Sequence, residues 1–460
     1  MRRTAALVAS VVLASTVGFT GHPLASAQGP ATERAGAPAT KAKKATKPAL
    51  REVMFVGNNW AGTATVVDAR TYKRLKTINI VPDKEAELAA IRQEPDRLAL
   101  YVLIQQGVGQ GNDQYVDDMF TTADGRLVAV SRPSFGDVVW IDLASGKIVA
   151  EQQMDGYRTD HMEVSPNGRR LLVSDSTAKS VHEYVLGGKG NPRTGKRLRT
   201  FPSGETPHES SYSKDGARIF HASIGRVYTP GDAGELGPVG DVIKADRWFQ
   251  VVRNSDFKIL RRWDMGKELD EAGYPDMSSA VRPMAVAPGE RFIYLQVSFF
   301  HGIVEFDTQA RDLNRQVDYT LGGVKEPTVG RVTRLIPLPM SEEVKSMPRE
   351  QYVLDSAHHG LAINKRGTKL CVAGTMSDYG AIVGRRTDRR KFFTTQGEKP
   401  YWATTSPFSN TCWMSMSGTD NVLVFDYATE KVVATVKVGD HPQRVREGHV
   451  PERLVARWRS

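Results

Sequence analysis

The sequence has little cysteine and no long apolar stretch, and both absences narrow the class of protein. Its 460 residues include two cysteines, which excludes a disulfide-framework fold and any Cys-rich metal or haem-attachment motif. The uncharged run from Ala5 to Phe19 is shorter than the roughly 18 apolar residues that indicate a transmembrane helix. Residues 51–439 carry only about +2 of the formal net charge of +10. The body of the chain is therefore not expected to bind nucleic acid.

The N-terminal region has the pattern of an export signal followed by a linker. Arginines at positions 2 and 3 precede the uncharged run, and Ala25-Ser26-Ala27 provides the small residues of a cleavage site, which predicts a signal peptide over residues 1–27. Residues 28–50, rich in Ala, Pro, Thr and Lys, cannot bury a core and predict a disordered basic linker. We therefore expect a secreted or extracytoplasmic protein, which the linker could hold near an anionic cell envelope.

Beyond residue 50, a unit of four short strands repeats along the chain. The third and fourth strands are clearest in Gly62–Val81, Gly136–Gly156 and Asp420–Gly439, where two β-rich runs flank a polar turn. Pairs such as Asp124-Gly125 mark the hairpin between the first and second strands, because these residues accept the positive φ of a tight turn. Second-to-fourth-strand sets occupy residues 52–81, 126–154, 169–202, 217–264, 291–320, 368–394 and 411–437.

First strands also number seven, and they begin near residues 115, 158, 207, 281, 356, 400 and 441. The set at 52–81 has no first strand before it, and the segment at 441 has no set after it. The segment at 441 can therefore serve as the missing first strand of the set at 52–81. We therefore predict an all-β fold over residues 51–447: a seven-bladed β-propeller of four-stranded antiparallel blades, closed by a C-terminal strand that completes the N-terminal blade. Residues 448–460 are expected to form a C-terminal tail.

The segment Asp420–Gly439 resembles the blade pattern of the YVTN-type β-propeller repeat family. The resemblance extends over residues 52–447, although three blades lack the Asp that ends the third strand. It implies the propeller fold. It leaves the function open, since members of the family include binding modules, structural proteins and enzyme domains.

Histidines and insertions gather on one face of the predicted ring, called the top face below. Four insertions, at 82–114, 225–247, 265–280 and 323–355, fall in loops that open on this face, a distribution typical of a working face. Random placement would put about one or two histidines in the channel lip and the loops of this face. The sequence places seven there: His161, His208, His221, His301, His358, His359 and His441.

Convergent imidazoles predict a transition-metal site, with copper or iron favoured, because neutral imidazole binds these metals well. The predicted ligands are His161, His208, His359 and His441, with His301 and His221 as outer candidates. Three further residues are catalytic candidates: Asp160 as a supporting carboxylate, Arg282 as the contact for a substrate anion, and Tyr379 as a contact for a small-molecule or saccharide ligand.

The arrangement is similar to the propeller domain of nitrous-oxide reductase, whose histidines hold a copper–sulfide cluster, although this chain has no cupredoxin domain. It is equally similar to metal-dependent propeller lyases that act on acidic sugars. Three functions therefore stay open: a metal-dependent oxidoreductase, a metal-dependent lyase, and a non-catalytic propeller that binds a cell-surface polymer or protein.

Two local predictions complete the interpretation. The stretch Asp83–Gln106 has apolar residues at roughly helical spacing, interrupted by Pro95, and predicts one or two short helices over the top face. Cys371 and Cys412 fall in equivalent second strands of neighbouring blades. We expect them to be separate buried thiols, because such strands are expected to lie too far apart for a disulfide.

Overall fold

The computed structural model describes residues 49–107, 109–226, 244–274, 281–311, 329–348, 357–394 and 397–459, with only the backbone described at positions 281 and 282. The predicted signal peptide and residues 28–48 of the predicted linker lie outside these ranges. So do most of the insertion at 225–247 and parts of the insertions at 265–280 and 323–355.

Seven four-stranded antiparallel sheets form the blades of a propeller. Blade 1 contains β28 (Pro442–Pro451), β1 (Leu50–Asn58), β2 (Thr63–Asp68) and β3 (Arg74–Asn79), and blade 2 contains β4 (Met119–Thr121), β5 (Leu127–Arg132), β6 (Asp137–Asp142) and β7 (Ile148–Gln153). Blade 3 contains β8 (Thr159–Val164), β9 (Arg170–Asp175), β10 (Ser180–Val185) and β11 (Arg197–Pro202). Blade 4 contains β12 (Pro207–Tyr212), β13 (Arg218–Ser223), β14 (Trp248–Arg253) and β15 (Ile259–Asp264). Blade 5 contains β16 (Val281–Val286), β17 (Phe292–Val297), β18 (Gly302–Arg311) and β19 (Val329–Pro337). Blade 6 contains β20 (Gly360–Ile363), β21 (Lys369–Gly374), β22 (Tyr379–Gly384) and β23 (Arg390–Phe393). Blade 7 contains β24 (Pro400–Thr405), β25 (Thr411–Met416), β26 (Asn421–Asp426) and β27 (Lys431–Lys437).

The ring is closed by strands from the two ends of the described chain. β28 pairs with β1 along its length, from Leu50 opposite Pro451 to Asn58 opposite Pro442. This pairing removes the open edge that β1 would otherwise present. The predicted seven-bladed fold and its mode of closure are confirmed.

The innermost strands of neighbouring blades contact one another around the whole ring and line its central channel. They are β4, β8, β12, β16, β20, β24 and β28. Because each blade repeats the same strand order, these strands run in the same direction. Their N-terminal ends therefore meet at a single mouth of the channel, called the channel mouth below.

Burial follows the position of a strand within its blade. In blade 2, the middle strands β5 and β6 are buried at every residue, whereas the outermost strand β7 alternates between partly buried and exposed residues. The middle strands are covered on both faces by neighbouring blades, and the outer strand has one face in solvent. Large side chains such as Trp140, Trp263 and Trp413 fill the spaces between blades.

Five α-helices lie among the described residues: Lys84–Ile91, Pro95–Gln106, Met265–Glu271, Glu342–Ser346 and Glu452–Arg459. The first two confirm the helices predicted over Asp83–Gln106. None of the helices in the described ranges combines the length and apolar character needed to span a bilayer.

The segment expected to be a C-terminal tail is ordered. β28 continues to Pro451, past the expected boundary at residue 447, and the helix Glu452–Arg459 follows it directly. Leu454 and Val455 of this helix are buried in the core cluster of blades 1 and 2. These two apolar residues anchor the helix to the ring.

Cys371 and Cys412 form a disulfide, so the prediction of separate thiols was wrong. Their Cα atoms lie 6.5 Å apart, within the range of about 4.4–6.8 Å that a disulfide accepts. The cluster between blades 6 and 7 that contains both residues also includes Ala362, Ala373 and Ala403. These small side chains let the two blades approach closely enough for the bond to form.

Candidate metal centre

A repeated irregularity of the innermost strands directs side chains into the channel mouth. In β8, regular pairing with β9 breaks between Thr159 and Met162. In β12, pairing with β13 breaks between Pro207 and Ser210. Each break adds a residue to the inner strand, as in a β-bulge, which bends the strand and changes where its side chains point. Asp160 and His161 lie within the first bulge, and His208 lies within the second.

These three residues form a compact set of possible metal ligands. The ring centroids of His161 and His208 are 3.8 Å apart. One nitrogen from each imidazole and one oxygen of Asp160 lie within 4.8 Å of one another, and all three residues are buried. Two imidazoles and one carboxylate are the donor set of mononuclear non-haem iron sites. Asp160, predicted as a supporting carboxylate, is thus placed as a possible direct ligand.

The guanidinium of Arg444, from β28, lies beside this set. Its Nη2 donates to Nε2 of His161 and lies 3.1 Å from Oδ1 of Asp117. The guanidinium also stacks 4.0 Å from the ring centroid of Trp402. Because arginine only donates hydrogen bonds, Nε2 of His161 must accept this one. Nδ1 of His161 is not engaged by Arg444, and it is buried without a hydrogen-bond partner among the described residues.

Burial and the positive charge of Arg444 hold the pKa of His161 well below its ordinary value. The imidazole is consequently neutral near pH 7, the form that binds a metal. Burial acts in the opposite direction on Asp117 and raises its pKa to about 7, although Arg444 opposes the shift. Asp117 can therefore hold or release a proton near neutral pH.

A second charged group lies along the same channel. Arg446 donates from Nε and Nη2 to the carboxylate of Asp118, at 2.6 and 2.7 Å. Its charge also acts on the carboxylates of Glu163, which is partly buried, and of Glu209, which is buried. Desolvation raises the pKa of both, that of Glu209 to about 7. Glu209 accepts a hydrogen bond of 2.7 Å from the backbone N–H of Met284, which ties blade 4 to blade 5.

Two of the four predicted ligands lie farther from the centre of the set. The ring of His359 is 6.2 Å from that of His208 and stacks on Tyr401 at 4.0 Å. His441 stacks on Trp60 at 3.8 Å, and burial lowers its pKa to about 3. The structure therefore brings His161 and His208 together, keeps His359 beside them, and places His441 in an aromatic stack.

The outer candidates occupy other environments. His221 belongs to a second strand, where Nε2 bonds Ser203 at 2.7 Å and Nδ1 bonds Ser210 at 2.9 Å. Both of its nitrogens are engaged, so it is not available as a ligand in this arrangement. The ring of His301 is 5.9 Å from that of His358.

Tyr379, one of the predicted catalytic residues, contacts a residue outside the set of Asp160, His161 and His208. Tyr379 is buried in blade 6, with its hydroxyl 2.7 Å from Nε2 of His358. Its hydroxyl is therefore engaged by a residue of the same chain instead of facing an open cavity. The side chain of Arg282 lies outside the described residues.

Sequence reasoning missed Arg444 and Arg446. One signal was present: both arginines lie two residues apart in a strand predicted to line the channel, where an isolated charge is costly to bury. A charged residue on such a strand indicates a buried ionic partner or a ligand.

Comparison with solved structures supports the propeller fold. No protein-family model and no curated protein sequence matches the chain. The β-propeller domain of Myceliophteria thermophila Cps50 (Swd1) is similar, with a TM-score of 0.50 at 9% identity, over 84% of this chain and 98% of that one. Hydrazine synthase of Kuenenia stuttgartiensis aligns with a TM-score of 0.48 at 13% identity, over 88% of this chain and 99% of that one. At 9% identity the likeness to the Cps50 domain shows the propeller fold alone, and membership of the YVTN-type family stays a prediction.

Proposed function

We propose that the protein is a metal-dependent β-propeller enzyme whose channel mouth binds one transition-metal ion through Asp160, His161 and His208. The observation that supports this proposal is the approach of three buried donor atoms to within 4.8 Å of one another. Of the two metals favoured by the sequence, iron(II) suits this set better than copper, because one donor is a hard carboxylate oxygen.

The surroundings of the set favour catalysis over simple metal storage. Three protein ligands leave coordination positions for a substrate, and a bound ion there would act as a Lewis acid or a redox centre. Asp117 and Arg444 stand beside the set, one able to exchange a proton near neutral pH and the other able to hold an anion. Oxidoreductase chemistry is our first assignment, with lyase chemistry on an acidic sugar as the alternative.

Metal content tests the proposal directly. The full chain, loaded with Fe(II) under anaerobic conditions and desalted, is expected to retain about one equivalent of metal by elemental analysis. The double variant His161→Ala/His208→Ala is expected to retain none, while its far-ultraviolet circular dichroism stays that of a β protein. His449→Ala, at a partly exposed position of β28, is the matched control and is expected to keep the metal. Equal metal contents in all three proteins would defeat the proposal.

The choice between reaction classes needs the loaded protein. An oxidoreductase is expected to consume an oxidant in the presence of substrate, and a lyase to release unsaturated products from acidic polysaccharides without consuming one. A loaded protein inactive in both assays that still binds a cell-surface polymer or protein would support the non-catalytic alternative.

We also propose that the protein works outside the cytoplasm, after removal of residues 1–27, and that the basic linker can associate with the cell envelope. The disulfide between Cys371 and Cys412 supports this location, because such bonds persist mainly in oxidising compartments. The intact mass of protein recovered from the culture medium or the envelope fraction tests it. The expected N-terminal residue is Gln28, and recovery of only the full-length chain from the cytosol would contradict the proposal.

A further inference from the structure

The buried guanidinium of Arg444 has hydrogen-bonding capacity that the described residues do not use. Arg444 is 1% exposed. Its Nη2 donates a hydrogen bond to Nε2 of His161 and forms an ion pair with the carboxylate of Asp117. Nε and Nη1 are also buried, and neither has a hydrogen-bond partner among the described residues. Buried donors on a charged group are costly to leave unsatisfied, so their persistence indicates an acceptor that is not part of this chain.

A second arginine of the channel mouth also has an unused donor. The charge of Arg158 acts on Asp117, as that of Arg444 does. The Nη1 atom of Arg158 is likewise buried without a hydrogen-bond partner among the described residues. The charges of two arginines with unused donors therefore act on one carboxylate at the channel mouth. A ligand that satisfies them must offer several acceptor atoms and negative charge.

The walls of this region favour a small planar anion. The Arg444 guanidinium lies 4.0 Å from the ring centroid of Trp402 and 5.9 Å from that of Tyr401. Tyr401 in turn stacks on His359. Flat rings on these sides match a flat carboxylate better than a tetrahedral phosphate. The nearby set of Asp160, His161 and His208 would leave a metal ion within reach of a second oxygen of the same molecule.

We propose that Arg444 is the anion-binding residue of the channel mouth and that its ligand is a small carboxylic acid carrying an adjacent hydroxyl or keto oxygen. The carboxylate accepts hydrogen bonds from Nε and Nη1, and the adjacent oxygen faces the metal position. The position of the adjacent oxygen rests on the proposed metal site, whereas the binding of the carboxylate to Arg444 does not. An anion at Arg444 offsets the guanidinium charge, so anion and metal are expected to bind with positive coupling.

Calorimetric titration of the full chain tests the anion site without any metal. Chelator-treated protein is titrated with lactate, with its neutral analogue lactamide, and with inorganic phosphate. We expect lactate to bind and lactamide to bind at least about tenfold more weakly, since only lactate carries the charge that Arg444 recognises. Equal affinities for lactate and lactamide would overturn the proposal. Preference for phosphate over lactate would overturn the assignment of the ligand as a carboxylic acid.

Variants assign the binding to Arg444. Arg444→Lys keeps the positive charge but removes the planar set of donors, and is expected to weaken lactate binding by about tenfold or more. Arg444→Met/Asp117→Asn removes both members of the ion pair, which avoids stranding a buried carboxylate, and is expected to abolish binding. Arg74→Lys, at an exposed position of β3, is the matched control. Unchanged lactate affinity in Arg444→Lys and in the folded double variant would refute the role of Arg444.

Repeating the titrations with Zn(II), which is redox-inert, separates the two proposals. Zn(II) is expected to raise lactate affinity, and lactate is expected to raise Zn(II) affinity by the same factor. Lactate binding by a protein that takes up no Zn(II) would remove the metal proposal and leave the anion site standing. Zn(II) binding without any lactate binding would remove the anion site and leave the metal proposal standing.

Discussion

His221 illustrates how a single buried imidazole can stabilise the fold without taking part in the candidate site. Two serine hydroxyls bond its ring nitrogens, and burial lowers its pKa to about 3. In the unfolded chain a histidine has a pKa of about 6.5. Between these values the unfolded state binds a proton that the folded state excludes. The stability contributed by the neutral ring is therefore fully present above about pH 6.5 and is lost as the pH falls toward 3.

Replacing His221 by Gln should remove this part of the pH dependence. Between pH 7 and pH 5, titration of His221 is expected to cost the wild-type protein about 2 kcal/mol of unfolding free energy, at about 1.4 kcal/mol per pH unit below 6.5. His221→Gln is expected to be less stable at pH 7 but to show a correspondingly shallower loss. Urea unfolding of both proteins at pH 7, 6 and 5 measures the difference. Identical pH profiles would show that His221 titrates alike in the folded and unfolded states.

The histidines also show how far residue-level prediction from the sequence can reach. His161 and His208 could be placed together because each lies near the start of an innermost strand, a position that the repeat defines. The role of His221 could not be predicted, because it depends on Ser203 in the loop after β11 and on Ser210 in β12. Arg444 carries no motif, and its importance comes from donors that the folded structure leaves unmatched.

The bulges of the innermost strands are the local structure on which the candidate site depends. Pairing breaks near the start of β8, β12, β16 and β24. It also breaks in the pairing of β28 with β1, where Arg444 lies. The sequence predicted most strands and hairpins, because Asx-Gly turns and β-branched runs are local signals. It did not predict the bulges, since they depend on the register between two paired strands.

The disulfide between β21 and β25 was missed for a related reason, because the distance between blades is set by packing and not by local sequence. It closes a loop with a sequence separation of 41 residues. Restricting that loop in the unfolded chain is expected to stabilise the protein by about 2–4 kcal/mol. Cys371→Ala/Cys412→Ala should therefore unfold at a lower denaturant concentration than the oxidised wild-type protein.

Reductant supplies the control for this prediction. Wild-type protein unfolded in the presence of a reductant should shift toward the midpoint of the double variant. The double variant itself should not respond to reductant. Matching midpoints for oxidised wild type and the double variant would mean that the disulfide contributes nothing to stability.

At the scale of the whole molecule, stability depends on joining the two ends of the chain in blade 1. Without β28, strand β1 would expose its hydrogen-bonding edge, and the innermost position of blade 1 would be vacant. A chain ending at residue 441 is therefore expected to aggregate or to lose cooperative unfolding. A chain ending at residue 451 loses only the helix Glu452–Arg459. It should elute as the wild type does in size-exclusion chromatography, with a loss of a few kcal/mol from the exposed contacts of Leu454 and Val455.

A circular permutant distinguishes loss of closure from general damage by truncation. Leu50 pairs with Pro451, so the end of β28 lies beside the start of β1, and a two-residue Asn-Gly turn can connect them as a hairpin. Moving residues 440–451 to the N-terminus of a chain that runs from residue 50 to 439 keeps every strand but changes the chain order. Because closure requires the β28–β1 pairing and not its covalent position, this permutant should elute as the wild type does and unfold cooperatively. Aggregation of the permutant, or a chain ending at 441 that behaves as the wild type does in size-exclusion chromatography and urea unfolding, would show that stability does not depend on this closure.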